Sequence, residues 1–312
     1  MQLKTVEKER VELRYYELPH GMPLLALLGE KWETEYGNDS MHFHNYLEIG
    51  YCYKGEGWMC MGDKMIPYSS GCITVIPKNF PHHTVADGNK VQKWEYLFVD
   101  EESFLKQAMA GQLLKTEQIV KRLQERTLVM PVGEGGECNF LIKSILDEMR
   151  TKEELYSVVV KAKLLALLID LVRLNPKDNL TETKHIQDKV LENILDVLEY
   201  IEKNYQEDID IEELTHVAHM SETHFRRKFK EYLNTSPVEY INLIRIKKAC
   251  ELLERSNDNL SDIALRSGFQ TTGTFIRNFK RIVGVVPKEW RKTAKNRVDN
   301  PANYNVSVLK GW

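Results

Sequence analysis

The chain contains no Cys-x-x-Cys pair. Its five cysteines, Cys52, Cys60, Cys72, Cys138 and Cys250, stand apart, and an odd number cannot close a complete disulfide framework. This argues against a small disulfide-stapled scaffold. No apolar run follows a basic start, which argues against secretion. An uninterrupted apolar span is missing too: the window from Leu155 to Leu174 is broken by Lys161, Lys163, Asp170 and Arg173, and reads as an amphipathic helix. A cytoplasmic protein with no membrane partner is the expectation. A strong overall charge is also absent, the formal net charge being −3. It is unevenly spread, however: residues 221–297 carry 17 Lys and Arg against 8 Asp and Glu, so this end is suited to meeting phosphate. At 312 residues the chain is at the upper limit for one core, and two domains are expected.

What is present in the basic part is a repeat. Phe225-Arg226-Arg227-Lys228-Phe229-Lys230, followed by Pro237-Val238-Glu239-Tyr240, returns about fifty residues later as Phe275-Ile276-Arg277-Asn278-Phe279-Lys280 and Pro287-Lys288-Glu289-Trp290. In the first copy Asp210 caps a short helix containing Ile211, Leu214, Val217 and Ala218, and Ser221 caps a second from Glu222 to Leu233. Phe225 and Phe229, four apart, share a buried face, and the cations occupy the remainder. In the second copy Leu260, Ile263 and Ala264 begin the first helix, Gly268 ends it, and residues 271–283 form the second. Two short helices joined by a tight turn, the second one basic, make a helix-turn-helix. Between the copies, residues 237–255 form an apolar-faced helix, with Val238, Ile241, Ile244, Ile246, Ala249, Leu252 and Leu253, that is expected to pack on both units. Such a connector can hold two recognition helices about one DNA turn, roughly 34 Å, apart.

This pattern closely resembles the DNA-binding domain of the AraC/XylS family of bacterial transcription regulators, on Ile263-Ala264, Gly268-Phe269, Phe275, Arg277, Phe279-Lys280, Gly284, Pro287 and Trp290-Arg291. Gly273-Thr274 departs from it where a Ser-Tyr pair is usual. So do Thr215, where Ala is usual, and Val286, where a small hydroxyl is common. The resemblance implies DNA contacts at Thr223, Arg226 and Arg227 in the first unit, and at Thr272, Ile276 and Arg277 in the second. Lys230 and Lys280 are the neighbouring cations. Arg227 and Arg277, at equivalent places, also suit internal salt bridges that brace the fold. Arg226 has no cationic counterpart and is the stronger candidate for base readout.

The first hundred residues read as short strands, 47–53, 57–61, 73–76 and 94–99, separated by turns, as in an antiparallel barrel or jelly roll. His42, His44 and Glu48 lie at even separations and, on one strand, project to one face together with Tyr46. His82 follows beyond Gly71 and Pro77. This resembles the cupin fold, whose metal motif implies His42, His44, Glu48 and His82 as ligands for Zn, Fe, Mn or Ni. Asn79 and Ala86 stand where that motif usually has Gly and Asn. The same residues suit a metal-free small-molecule pocket, for a sugar among other ligands, or satisfied polar groups of a core. Trp58, Trp94 and Tyr96 are placed either to stack on a sugar ring or to fill the core.

Residues 101–126 read as helical and interrupted at Gly111, 131–136 as a loop, and 139–150 and 153–174 as helices. Leu155, Val158, Val159, Ala162, Leu165, Leu168, Ile169 and Val172 form a stripe that packs on the barrel or pairs with its twin in a homodimer.

The expected fold is α+β and multidomain. A cupin barrel occupies 1–100, a helical extension 101–175 and a linker 176–188. An all-α double helix-turn-helix domain occupies 189–295, and 296–312 is a flexible tail. The expected function is a sequence-specific regulator that binds double-stranded DNA and answers to a small-molecule effector, with RNA polymerase as a further partner if it activates. Two rival readings are a metal-dependent cupin enzyme fused to a DNA-binding domain, and an architectural DNA binder whose barrel only dimerises.

Overall fold

The computed structural model describes residues 12–16, 18–19, 21–29, 33–34, 40–61, 64–87, 91–174, 180–182, 189–233 and 235–296. The chain divides between residues 187 and 188 into two units, each with its own core.

The N-terminal unit contains strands β1 (Glu12–Arg14), β2 (Leu24–Leu27), β3 (Glu33–Thr34), β4 (His42–His44), β5 (Leu47–Lys54), β6 (Glu56–Met61), β7 (Lys64–Ser69), β8 (Ile73–Ile76), β9 (His82–Ala86) and β10 (Gln92–Val99). Helices α1 (Glu101–Ala108) and α2 (Leu113–Gln124) follow, then β11 (Arg126–Met130), α3 (Glu137–Thr151), α4 (Tyr156–Arg173) and β12 (Leu180–Glu182). One sheet is five-stranded, in the order β1-β4-β9-β6-β7. The other is seven-stranded, β12-β11-β8-β5-β10-β2 with β3 beside β10.

Alternation along the strands assigns the two faces of the larger sheet. Leu47, Ile49 and Tyr51 of β5, Ile73 and Val75 of β8, and Leu97 and Val99 of β10 join Ile142, Ile145 and Leu146 of α3 and Leu164, Leu167 and Leu168 of α4 in one buried cluster. The intervening residues, Cys52, Ile76 and Trp94, turn to the opposite face and meet Met59 and Met61 of the smaller sheet. At the end of β7, Gly71 (φ 85°) donates to Cys52 O at 2.7 Å and Cys52 donates to Cys72 O at 3.0 Å, so two residues oppose one in a glycine-led bulge.

The structure departs from the sequence reading at several places. β11 lies beyond residue 100 yet pairs with β8, so the barrel draws a strand from the stretch read as helical. β12 falls inside the expected linker and pairs with β11. The other positions of 176–188, and the expected tail from 297 onward, lie outside the described residues. On α4 the buried residues are Val160, Leu164, Leu167, Leu168, Leu171 and Val172, whereas Leu155 and Val158 are 67% and 60% exposed. The stripe therefore splits into a face packed on the sheet and an outward edge, because this helix is apolar nearly all round.

The C-terminal unit is helical: α5 (Lys189–Asn204), α6 (Ile211–Val217), α7 (Glu222–Leu233), α8 (Pro237–Arg255), α9 (Leu260–Arg266), α10 (Thr272–Val283) and α11 (Pro287–Asn296). α8 opens with a capping box in which Ser236 and Glu239 satisfy each other's backbone donors. Its first half carries Tyr240 against Phe229 of α7, with ring centroids 6.0 Å apart. Its second half places Ile246, Ala249 and Leu253 among Ile263, Ala264, Phe269, Phe275 and Phe279. One helix thus serves both units, although Val238 is half exposed and not part of its packed face. α11, which the repeat left unassigned as a helix, begins at Pro287 just as α8 begins at Pro237. Gly268 (φ 86°) cannot carry a side chain, since a Cβ there would lie 2.3 Å from Tyr205 O.

Candidate ligand site and nucleic-acid interface

His42, His44, Glu48 and His82 come together inside the N-terminal unit, each at most 4% exposed. They do not share one strand. The extended run breaks at Asn45-Tyr46, where the chain passes from β4 in the smaller sheet to β5 in the larger, and the side chains converge from two facing sheets. The side chain of Asn45 secures this corner by accepting from Tyr16 N at 2.8 Å and donating to Tyr16 O at 3.0 Å. Tyr46, expected beside Glu48, lies instead at the corner, packed with Tyr16, Leu25 and Phe98. His82 reaches the group because β9 pairs with β4 at His42.

Each imidazole has Nδ1 within hydrogen-bond distance of a backbone carbonyl: His42 to Ser40 at 2.9 Å, His44 to Tyr46 at 2.7 Å and His82 to Phe80 at 2.9 Å. An imidazole whose Nδ1 donates in this way turns its Nε2 to the interior of the cluster. His44 Nε2 lies 3.2 Å and His82 Nε2 3.6 Å from the Glu48 carboxylate. His42 Nε2 lies 3.0 Å from Nη1 of buried Arg14, whose strand β1 runs parallel to β4. Burial pushes the His42 and His44 imidazoles below their ordinary range. Burial also pushes the Glu48 carboxyl up, but His82 and His44 outweigh it and hold it well below the usual carboxylate range. The cluster therefore centres on a buried carboxylate that faces two imidazoles, with a third imidazole beside it. It favours a cation or a hydroxyl-rich ligand.

The surroundings are partly unsatisfied as well. Thr74 Oγ1, Trp94 Nε1 and His44 Nε2 are buried and have no hydrogen-bond partner among the described residues. Trp94 is 3% exposed and stacks on Tyr96 with centroids 6.0 Å apart, so it belongs to the inner core, while Trp58 is 42% exposed. Gly50 keeps the space beside Thr74 open, since a Cβ would lie 2.4 Å from Thr74 Oγ1. Arg14 and Thr74 were missed by the sequence reading. Only the even spacing of Thr74 from Cys72 and Ile76 pointed inward.

In the C-terminal unit Asp210 caps α6 by accepting from Glu213 N at 2.8 Å, and His219 (φ 51°) makes the turn into α7. Phe225 and Phe229 are fully buried, which leaves Thr223, Arg226, Arg227 and Lys230 on the exposed side of α7. Arg226 Nε donates to Glu222 Oε1 at 2.7 Å. Arg227 forms no ion pair among the described residues, and Arg277 makes only a long contact, 3.5 Å, with Thr274 Oγ1. The internal bridges that would brace the fold through these two arginines are therefore not formed among the described residues. On α10, Arg277 and Lys280 are exposed. Ile276 is half-buried against the core and Thr272 bonds Ser261 Oγ at 3.3 Å. No helix of the described residues is long and apolar enough to cross a membrane.

Comparison with known proteins matches the model of the AraC-like ligand-binding domain to residues 29–167 and that of a helix-turn-helix domain to residues 214–293. The raffinose operon transcriptional regulatory protein RafR of Pediococcus pentosaceus is 25% identical over 248 residues, covering 78% of this chain and 84% of the relative. An HTH-type transcriptional regulator of Staphylococcus aureus is 30% identical over 261 residues, 83% of this chain, and the chain spans 33% of that relative's length. Among solved structures, ToxT of Vibrio cholerae with bound unsaturated fatty acid matches 88% of this chain and 97% of its own, at 14% identity and a TM-score of 0.40. The DNA-binding domain of AdpA in complex with target DNA matches 36% of this chain and 98% of its own, at 27% identity and a TM-score of 0.32. With the two domain models matched in order along one chain, the protein belongs to the AraC family of transcriptional regulators, a ligand-binding domain followed by a DNA-binding domain.

Proposed function

We propose that the N-terminal domain senses a carbohydrate and that its occupancy alters how the C-terminal domain engages DNA. The observation that carries this reading is the buried Glu48 carboxylate, with His44 Nε2 and His82 Nε2 turned towards it, beside the orphaned Thr74 Oγ1 and Trp94 Nε1. Sugar hydroxyls donate to such a carboxylate, and a sugar oxygen accepts from the indole N–H. The raffinose-operon relative supports the same class of effector. Access requires displacement of β1, whose Arg14 closes on His42. The ligand regulates only if it binds one arrangement more tightly than the other.

DNA contact falls to Thr223, Arg226, Arg227 and Lys230 on α7, and to Thr272, Ile276, Arg277 and Lys280 on α10. The arginines suit guanine edges, Ile276 a thymine methyl and the lysines phosphates. The outward edge of α4, with Leu155 and Val158, is the surface proposed for a homodimer. Val158→Asp is expected to yield monomers in sedimentation equilibrium; an unchanged mass would refute that surface. The setting is cytoplasmic, and RNA polymerase is a partner if the protein activates.

The direct test is fluorescence anisotropy of a labelled duplex, selected from a random pool by the full chain, titrated with and without raffinose. A raffinose-dependent change in affinity that His44→Ala abolishes supports the proposal. A response unaltered by His44→Ala sinks it.

A second reading is a metal in the barrel, favoured by the three Nδ1 contacts to backbone carbonyls, which orient imidazoles as metal ligands are oriented. The donor set of three imidazoles and a carboxylate fits Zn, Fe, Mn or Ni. His42, Glu48 and His82 offer donor atoms within 4.8 Å of one another, and His44 adjoins Glu48. Such an ion would supply a fixed positive centre for ligand oxygens. Arg14 takes up the His42 lone pair in the present arrangement.

A further inference from the structure

Gly273 is the only glycine inside a helix among the described residues. Glycine is the least favourable helix residue after proline, so its presence calls for a reason. The fold supplies none. The backbone at Gly273 lies outside the left-handed region, and a Cβ built there meets nothing within 4 Å. Other glycines of the C-terminal unit are accounted for: Gly268 and Gly284 have φ of 86° and 88°, and a Cβ on Gly268 would strike Tyr205 O.

The internal repeat sharpens the point. Aligning Phe225 with Phe275 sets Gly273 against Thr223, which carries an exposed side chain at the same place in α7. The unit therefore tolerates a side chain at this position. The surrounding surface is small and free of acid: Thr271 caps α10, Thr272 and Thr274 flank the glycine, and the first turn has no carboxylate, whereas α7 has Glu222. Arg277, one turn on, and Lys280 provide cations on the exposed side.

We infer that Gly273 is where a DNA strand comes against α10: the missing Cβ lets a sugar–phosphate segment reach van der Waals contact with the helix backbone. This rests on the reading of α10 as a DNA-contacting helix. The glycine weakens its own helix, and the interaction it serves lies outside the protein. Because the contact is with the strand backbone, it should act on all sequences alike.

The test uses the full chain with Gly273→Ala and Gly273→Thr, the latter installing the residue of the first copy. Two duplexes serve as probes: one selected from a random pool by the parent protein, and one of scrambled sequence. For Gly273→Ala the unfolding midpoint of the C-terminal unit is expected to rise by about 1–4 °C. Affinity for both duplexes is expected to fall by a similar factor, about tenfold. Opposite signs of stability and affinity are what a purely structural glycine cannot produce. Unchanged or tighter binding by both variants overturns the inference. So does a lowered midpoint, which would place the reason for glycine within the fold, and so does a loss confined to the selected duplex, which would put a base edge there. Failure of the parent protein to select any duplex would instead refute the DNA-contact reading itself, and the inference with it.

Discussion

His44 and Glu48 face each other across 3.2 Å with both side chains buried, and the imidazole has its other nitrogen committed to Tyr46 O. A lone pair and a carboxylate so placed repel unless a proton, a cation or a donor group lies near. Glu48→Gln removes the charge and supplies a donor of its own. This variant is expected to lose any raffinose response while keeping ligand-free DNA affinity within about twofold, which is ordinary for a change outside the interface. Anisotropy titration measures both. A full response in Glu48→Gln would show that the carboxylate does not take part in effector binding.

Arg14 competes for the position a metal would need. Its guanidinium lies 3.0 Å from His42 Nε2, and the side chain is 8% exposed. In the parent protein EDTA is expected to leave the unfolding midpoint of the N-terminal domain where it was. Arg14→Ala removes this contact to His42 Nε2, and a titration with Zn is then expected to raise that midpoint. Ligand at a hundred times its dissociation constant contributes about 2.7 kcal/mol. A parent protein that loses stability in EDTA and regains it with one metal would establish the metal as resident.

Glu101 gives the N-terminal domain a dependence on pH. It is 3% exposed at the start of α1, and burial raises its carboxyl to about 7 despite a hydrogen bond from Gln124 Nε2 at 2.9 Å. The folded state binds the proton more tightly than the unfolded chain, whose carboxyl titrates near 4.5. This contribution to stability is therefore fully present below about 4.5 and is lost as pH rises through about 7. Glu101→Gln keeps the shape without the charge. It is expected to flatten this part of the stability profile and to stabilise the domain at about pH 8, by something on the order of 1–3 kcal/mol. Urea unfolding of parent and variant at several pH values checks it. Parallel profiles would mean that Glu101 titrates normally.

The two halves were legible to different degrees. The repeat stated the helix-turn-helix units twice, and Phe225 and Phe229 recur as Phe275 and Phe279 because the same packing problem is solved twice. Helix periodicity is local, so α6 to α10 could be drawn from spacing alone. The barrel depends on pairing between distant segments. β11 is five residues long and follows a helix, and nothing nearby marks it as the neighbour of β8. His42, His44 and Glu48 were identified by even spacing, yet they meet because the chain changes sheet at Asn45, a corner fixed by the distant Tyr16. The candidate ligands were visible as residue types, whereas Arg14 could not be, since its place depends on a parallel pairing of β1 with β4.

Arg226 is held by Glu222 across one turn of α7, and both side chains are about half exposed. An exposed pair at this spacing contributes roughly 0.3–0.5 kcal/mol, little enough to be given up on binding. A guanidinium making bidentate contact with guanine is worth about 1–3 kcal/mol of discrimination. Arg226→Ala is therefore expected to weaken binding to the selected duplex about 5- to 100-fold and to relax preference at one base pair. Glu222→Ala should act in the opposite direction. It releases the arginine and removes a carboxylate from the first turn of the helix proposed to contact DNA, so binding is expected to tighten about two- to fivefold at low salt and less at high salt. The two signs separate the roles. If Arg226 served only to pin α7 through Glu222, both substitutions would break the same bond and weaken DNA binding alike, with a matching fall in the unfolding midpoint. Binding to a panel of single-substituted duplexes, read beside the melting curves of each variant, distinguishes a residue that reads a base from one that only steadies the helix.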